Sequence, residues 1–322
     1  MENSKKNNSE FIPVFKRSFL LPRYWGSWLA IGACIGLAWV PAGIRDPLLG
    51  GIGRLAGKMA KSARRRAQIN LFYCMPEKSE AAREKIIDEM FATAPQSMVM
   101  MAQLAVRPAH AMRHITWHNH ELIEQLRAEE QNVIFLVPHG WAIDIPAMLL
   151  AAEGHKVAGM FHNQRNELID YVWNTARRRF GGRLHPRNDG IKPFISSVRQ
   201  GYWGYYLPDE DHGAEQSEFV DFFATYKATL PALGRLMKVC RAKVVPMFPV
   251  YDNKTHRLNI YLRAPMDDLL EVDDKTQARR MNEEVENLVG PYPEQYTWIL
   301  KLLKTRKEGE IEPYRRKDLY RK

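Results

Sequence analysis

Residues 132–147 read NVIFLVPHGWAIDIPA. Val133–Val137 is a short unbroken apolar run, the pattern of a strand buried on both faces. Pro138, His139 and Gly140 follow, and a helix starts with Asp144 five residues after His139. A strand that ends in a polar turn and runs into a helix is the repeating unit of an α/β sheet. In such sheets functional groups collect at the strand ends. Further apolar runs extend the pattern: Val157–Phe161, Tyr202–Leu207, Val244–Val250 and Leu258–Leu262. Between them the spacing predicts helices over 121–130, 142–153, 167–180, 191–200 and 227–239. Strands alternating with helices predict an α/β fold with a central, mainly parallel sheet flanked by helices. Two further helices are expected over 275–288 and 294–304, and a long one over 79–106, capped by Ser79 and broken or kinked at Pro95.

His139 is the first candidate for chemistry. An imidazole at a strand end can serve as a general base when a carboxylate holds its other nitrogen. Asp144, about one helical turn on, is the expected orienter. Asp209, Asp211 and His212 in PDEDHG place three potential ligands within four residues. With His139 and Asp144 they suggest an alternative, a metal-dependent lipid or phosphoester hydrolase. No His-x3-His spacing accompanies them, and the preferred reading assigns no metal and no cofactor.

The N-terminal part reads differently. Residues 24–44, YWGSWLAIGACIGLAWVPAGI, carry no charge, and aromatic residues stand near both ends. At about 20 apolar residues the stretch predicts a membrane-spanning helix. Beyond it Asp46 can cap a helix with Pro47 in its first turn. Leu48, Ile52, Leu55 and Met59 then fall on one face, Arg54, Lys58 and Lys61 on another, and Arg64–Arg66 follow. That is the pattern of a basic helix lying on an anionic lipid surface. The organisation expected is a polar leader (1–23), a membrane anchor (24–44), a basic amphipathic interfacial helix (45–66), a catalytic domain (67–306) and a basic tail (307–322). Lys5, Lys6, Lys16, Arg17 and Arg23 precede the span and a larger cationic set follows it. That bias predicts a single-pass anchor with the main domain on the cytoplasmic side.

Composition narrows the class. The 322 residues are 45% hydrophobic and 26% charged, which describes a folded chain. Three cysteines without a C-x-x-C exclude a disulfide framework. The net charge of +10 calls for an anionic partner. The arginine runs lie beside apolar segments rather than interleaved with aromatics, so anionic membrane lipids are expected and nucleic acid is not.

PHGWAIDIPA resembles the H-x4-D core of the glycerolipid-type acyltransferases. More closely it resembles the late acyltransferases of lipid A biosynthesis, in the myristoyltransferase branch. RRRAQINLFYCMPEKSEAAR (64–83), FHNQRNELIDYVWNTARRRFGG (161–182), PRNDGIKPFISSVRQG (186–201), YYLPDEDHG (205–213), FVDFFATYKAT (219–229) and EQYTWILKLLKTR (294–306) carry the likeness along nearly the whole chain. The resemblance implies transfer of a fatty acyl chain, myristoyl by the branch, from acyl carrier protein. The acceptor implied is a Kdo2-lipid IVA-type molecule, at a hydroxyl of one of its 3-hydroxyacyl chains. It also implies work at the bacterial inner membrane. Within it His139 and Asp144 are the catalytic pair. Arg187, Asp189, Asn166, Asp209 and Asp211 are candidate substrate contacts, with Arg187 holding acceptor phosphate or helping the oxyanion and Asp189 orienting Arg187 or capping the next helix. The chain departs from the family pattern at Arg165-Asn166-Glu167, where Asn-Pro is usual, and at Ala224, where glycine is usual.

Overall fold

The computed structural model describes residues 10–316 and 318–320. Lys5, Lys6 and the rest of residues 1–9 lie outside them, as do tail positions 317, 321 and 322.

In chain order the elements begin with α1 (Trp25–Leu37), α2 (Ala42–Met59), α3 (Lys61–Cys74), α4 (Glu80–Val106) and α5 (Pro108–Met112). The α/β part follows as β1 (Ile115–His118), α6 (Glu121–Ala128), β2 (Asn132–Leu136), α7 (Asp144–Ala152), β3 (Val157–Phe161) and α8 (Glu167–Arg177). It continues through β4 (Arg183–Pro186), α9 (Lys192–Arg199), β5 (Trp203–Tyr206), β6 (Glu218–Phe222), β7 (Thr225–Thr229) and α10 (Ala232–Cys240). It closes with β8 (Ala242–Asp252), β9 (Arg257–Leu262) and α11 (Asp274–Val289).

Seven strands form one sheet in the order β1-β9-β8-β2-β5-β3-β4. β2 pairs in parallel with β5 on one side and β8 on the other, and β3 pairs in parallel with β5 and β4. Only the β8–β9 pairing is antiparallel within this sheet. β2 is buried on both faces, as its apolar run requires. Val133, Phe135 and Val137 pack with α6, α7 and the end of α4. Ile134 and Leu136 pack with α9, α10 and α11.

The expected membrane-spanning helix is not formed. α1 has 13 residues, about 20 Å at ~1.5 Å per residue, against a hydrocarbon core of ~30 Å. The chain breaks at Ala38–Pro41 and restarts as α2. No helix among the described residues is long and apolar enough to cross a membrane. The single-pass anchor, and the sidedness built on it, are therefore overturned. The reason lies at the far end of the apolar stretch. Arg45 and Asp46 are 3% and 2% exposed, pinned to α4 and β8 by Gln103 and Tyr251. Asp46 is thus inside α2 rather than its cap, which is Pro41.

α2 instead lies flat on α4. Gly50, Gly53 and Gly57 form its inner face. α4 is not broken at Pro95, which lies inside it and deprives the Phe91 carbonyl of its helical partner. Gly53 sits against that carbonyl, where a Cβ would overlap it. With its small face inward, α2 turns Ile44, Leu48, Ile52, Leu55 and Met59 outward, 52–74% exposed. The basic run that follows is engaged within the protein. Arg64 pairs with Glu84 and Asp88, while Arg65 and Arg66 donate to main-chain carbonyls of Tyr314, Arg316 and Ile299.

Two further expectations fail. Residues 227–229 belong to β7, and α10 begins only after Pro231. Only Pro293–Gln295 of the last expected helix is helical, as one 3-10 turn.

Candidate active site

The parallel register builds the site. Leu136 of β2 stands beside Tyr206 of β5. Three residues beyond each, where both strands have ended, come His139 and Asp209. The His139 ring is 17% exposed and the Asp209 carboxylate 1%. His139 Nδ1 is hydrogen-bonded to Asp209 Oδ1, and the His139 backbone N–H donates to Oδ2 at 2.7 Å. Asp144 was the expected orienter, but the carboxylate on this ring is that of Asp209. Asp144 opens α7 and turns toward α8, where Trp173 Nε1 donates to Oδ2 at 2.8 Å and Arg177 Nε to Oδ1 at 2.8 Å. Trp173 and Arg177 are four apart on α8 and so share one face.

Behind the dyad lies Lys227, fully buried, whose Nζ donates to the Asp209 carbonyl at 2.9 Å. Burial alone would raise the Asp209 pKa. The His139 charge and hydrogen bond, with Lys227, outweigh it and hold the carboxyl below its usual range. Burial likewise pulls the His139 imidazole down, but the Asp209 charge and hydrogen bond, helped by Glu210, leave it above the ordinary histidine value. Lys227 is pushed down by its burial.

Nδ1 is taken, so Nε2 is the nitrogen left for chemistry, with Glu210 Oε1 at 3.6 Å. Glu210 in turn pairs with Arg187, and Arg187 Nη1 lies 3.0 Å from His162 Nε2. The backbone around His139 is braced by a distant segment. Gly140 bridges to Tyr296, and the Thr297 N–H donates to the His139 carbonyl at 2.9 Å. Gly140 is required there because a Cβ would lie 2.9 Å from the Gln295 carbonyl oxygen.

Beside Asp144 and Arg177 is a cavity with apolar walls, among them Ile143, Met148, Phe161, Leu184 and Leu207. The Tyr205 hydroxyl closes one side by donating to the Ile143 carbonyl at 2.7 Å.

The other candidate residues are dispersed. Asn166 caps α8 through Leu168 and Ile169 and donates to Ser27 at 2.8 Å, tying α8 to α1. Asp211 holds Thr305, accepting from its N–H at 2.7 Å and its hydroxyl at 2.6 Å. Asp189 is exposed, and α9 starts without a side-chain cap. Burial lowers the pKa of His212. The ligand set that a metal hydrolase would need is thus pulled apart, and among the described residues no three His, Cys, Asp or Glu side chains converge on a common point.

Sequence reasoning missed Arg177, Trp173, Lys227 and Tyr296. Arg177 opens the run Arg177–Arg179, which in sequence is indistinguishable from a solvated basic face. Its i−4 spacing from Trp173 was the available signal. Arg178 instead binds Glu10 and the Phe11 carbonyl, and Arg179 the Ala105 carbonyl.

The chain is similar to known proteins along nearly its whole length. The family of bacterial lipid A biosynthesis acyltransferases matches residues 12–305. The lipid A biosynthesis myristoyltransferase of Escherichia coli (strain K12) is 70% identical over 318 residues, 98% of each chain. A lipid A biosynthesis acyltransferase of Haemophilus influenzae is 49% identical over 92% of this chain and 93% of its own. The Escherichia coli lauroyltransferase of the same pathway is 29% identical over 94% of this chain and 99% of its own. A buried His–Asp pair at the lip of a parallel sheet, in a chain matched along nearly its full length, leads to one assignment: this protein belongs to the lipid A biosynthesis acyltransferases and is a late acyltransferase of that pathway.

Proposed function

We propose that the enzyme moves a myristoyl chain from acyl carrier protein to a 3-hydroxyacyl hydroxyl of a Kdo2-lipid IVA-type acceptor, giving a Kdo2-lipid A-type product. The observation that carries this is the buried His139–Asp209 pair, in a chain 70% identical to a named lipid A myristoyltransferase.

An alkyl hydroxyl is a weak nucleophile at neutral pH. His139 Nε2 takes its proton as the oxygen attacks the thioester carbonyl, a contribution of about 10²–10⁴-fold for a well-placed base. Asp209 fixes the tautomer and stabilises the imidazolium. The tetrahedral oxyanion is met by main-chain amides of the turn after Gly140. Collapse breaks the C–S bond, and the imidazolium returns its proton to the departing thiolate. The ester gains the acyl group, the carrier regains its thiol, and His139 is neutral again. Asp144 acts at one remove, holding α7 to α8 through Arg177 at the wall of the apolar cavity, which is the place for the chain. No metal or cofactor enters these steps.

Residues 45–66 serve as an interfacial segment in this reading. The outward row on α2 supplies the apolar contact with anionic lipid.

The test supplies the acceptor together with carrier protein loaded with 12-, 14- or 16-carbon chains, and reads the product by mass spectrometry. The expected result is a gain of one 14-carbon acyl group, unaffected by chelator. No mass gain with any donor sinks the proposal. The pH profile gives a second readout. Only neutral His139 accepts a proton, so the rate falls as pH drops through its raised pKa, on the alkaline side of the ordinary histidine value. Asp209→Asn removes the charge that raises it. The acidic limb then shifts to lower pH, while the plateau rate falls by about 10²-fold or more. A limb that stays in place in the variant would assign the titration to another group.

A further inference from the structure

A second cavity opens at the same end of the sheet as His139. β8 runs parallel to β2 and continues past it to Asp252, so Tyr251 and the β8–β9 turn stand on the active-site side. Gln295, whose carbonyl faces Gly140, accepts from the Tyr251 N–H at 3.0 Å through its side chain. The Tyr251 hydroxyl reaches Asp46, which is bonded to two residues lining the second cavity, Arg45 and His256. That cavity is lined by Arg45, Arg107, His110, His114 and His256, with Gln103 at its back and the Trp39–Ala42 turn at its rim.

Its charge is unbalanced. Among the described residues no carboxylate lines the cavity, and Asp46, bonded to the lining residues Arg45 and His256, is already engaged. It accepts from Arg45 Nε at 3.2 Å and from the Tyr251 hydroxyl, and it holds His256 Nδ1 at 2.8 Å. Arg107 donates to the Ala38 carbonyl at 3.3 Å and lies 4.1 Å over the Trp39 ring, with no carboxylate partner among the described residues. Burial and then the charges of Arg107, His114, Arg113 and Arg45 push the His110 imidazole below its ordinary value. α2, 18 residues long, starts at this cavity with no side-chain cap and no acid in its first turn. Its free N–H groups and dipole add positive potential there. His256 is held in the left-handed region at φ 56°, which costs energy for a side-chain-bearing residue and keeps its ring against α2.

We infer that this cavity binds a phosphate monoester of the acceptor's headgroup, with Arg107 as the principal donor. The inference rests on the acceptor named under the proposed function. Arg187, the sequence candidate for that task, is neutralised by Glu210. Arg107 is not neutralised, and its cavity adjoins the outward apolar residues Trp39 and Ile44, 62% and 70% exposed. A lipid lying along the outward row of α2 would bring its phosphorylated headgroup to the end of that helix where this cavity opens.

The experiment measures equilibrium binding of the acceptor in detergent micelles, with its phosphates intact or enzymatically removed, to the wild type, Arg107→Gln, Arg107→Lys and His110→Gln. In the wild type, losing the phosphates weakens binding about tenfold or more, the scale of one charge-assisted hydrogen bond. Arg107→Gln binds both forms alike, and Arg107→Lys recovers part of the difference. His110→Gln narrows it without touching the Arg107 contact to Ala38. If Arg107→Gln discriminates as well as the wild type, the site is overturned. Inorganic phosphate and phosphatidic acid micelles serve as competitors. Displacement by both, or by the lipid alone, supports the site and identifies the smallest group it reads; displacement by neither overturns it. Binding is read without turnover, so a failure of the transfer assay would remove the proposed reaction while leaving this result standing.

Discussion

Replacing His139 by alanine lowers the rate of acyl transfer by about 10²–10⁴-fold, the range expected when a general base is removed. The fold survives the change. The ring is 17% exposed, so truncation opens its space toward the surface rather than sealing a void. The Asp209 carboxylate it leaves behind is not orphaned, because the His139 backbone N–H still donates to it and Lys227 still lies beside it. The loss therefore falls on turnover, read as product mass per unit time, and not on the amount of folded enzyme, read by thermal melting. A variant within tenfold of the wild type would remove His139 from the role of base. A variant that melts early and loses activity in proportion would mean that the ring is structural.

The second large effect is on lipid binding. Changing Leu48, Ile52 and Leu55 together to serine reduces partitioning onto anionic vesicles by about 10²-fold or more. Full burial of each side chain is worth about 1.5–3 kcal/mol, so half of that, summed over three, comes to about 2.3–4.5 kcal/mol and spans the roughly 2.8 kcal/mol that 10²-fold requires. All three are more than half exposed, and α2 holds to α4 through its glycine face, so the melting temperature changes little. Vesicle flotation reads the partitioning. Undiminished flotation of the variant would show that this row is not the lipid contact.

The legible parts of the fold were those set by local composition. NVIFL announces a central strand because every residue after Asn132 is apolar, which a strand covered on both faces demands. α11 and the start of α4 carry ordinary caps, Asp273 and Ser79, and were found near their true bounds. The β6–β7 hairpin was hidden because its two-residue turn is Phe223-Ala224, with Phe223 at φ 50° where glycine or asparagine is customary. Tertiary bonds hold that turn: Phe223 N–H donates to Glu286 and Ala224 N–H to the Cys74 carbonyl. The α1–α2 region misled for the opposite reason. Its apolar length is real, but the break at Ala38–Pro41 and the burial of Arg45 and Asp46 are set by partners on α4 and β8.

The active site shows the same division. The place of His139 just beyond a buried strand was legible. Its carboxylate partner was not, because the choice between Asp144 and Asp209 is made by the register of β2 against β5, seventy residues apart in the chain. A nearby carboxylate in sequence is a weaker guide than one on the adjacent strand.

The bridge between Gly140 and Tyr296 bears on how the enzyme is made. β2, which leads into His139, gains its second neighbour, β8, only after about another hundred residues have been added, and the brace at Gln295–Thr297 comes about fifty residues later still. At roughly 5–20 residues per second the ribosome spends about 3–10 seconds between these two events. During that interval the imidazole and its carboxylate can meet, but the turn that aims them is unsupported. Competence thus waits for the segment 295–297, and a product terminated before it would be catalytically silent.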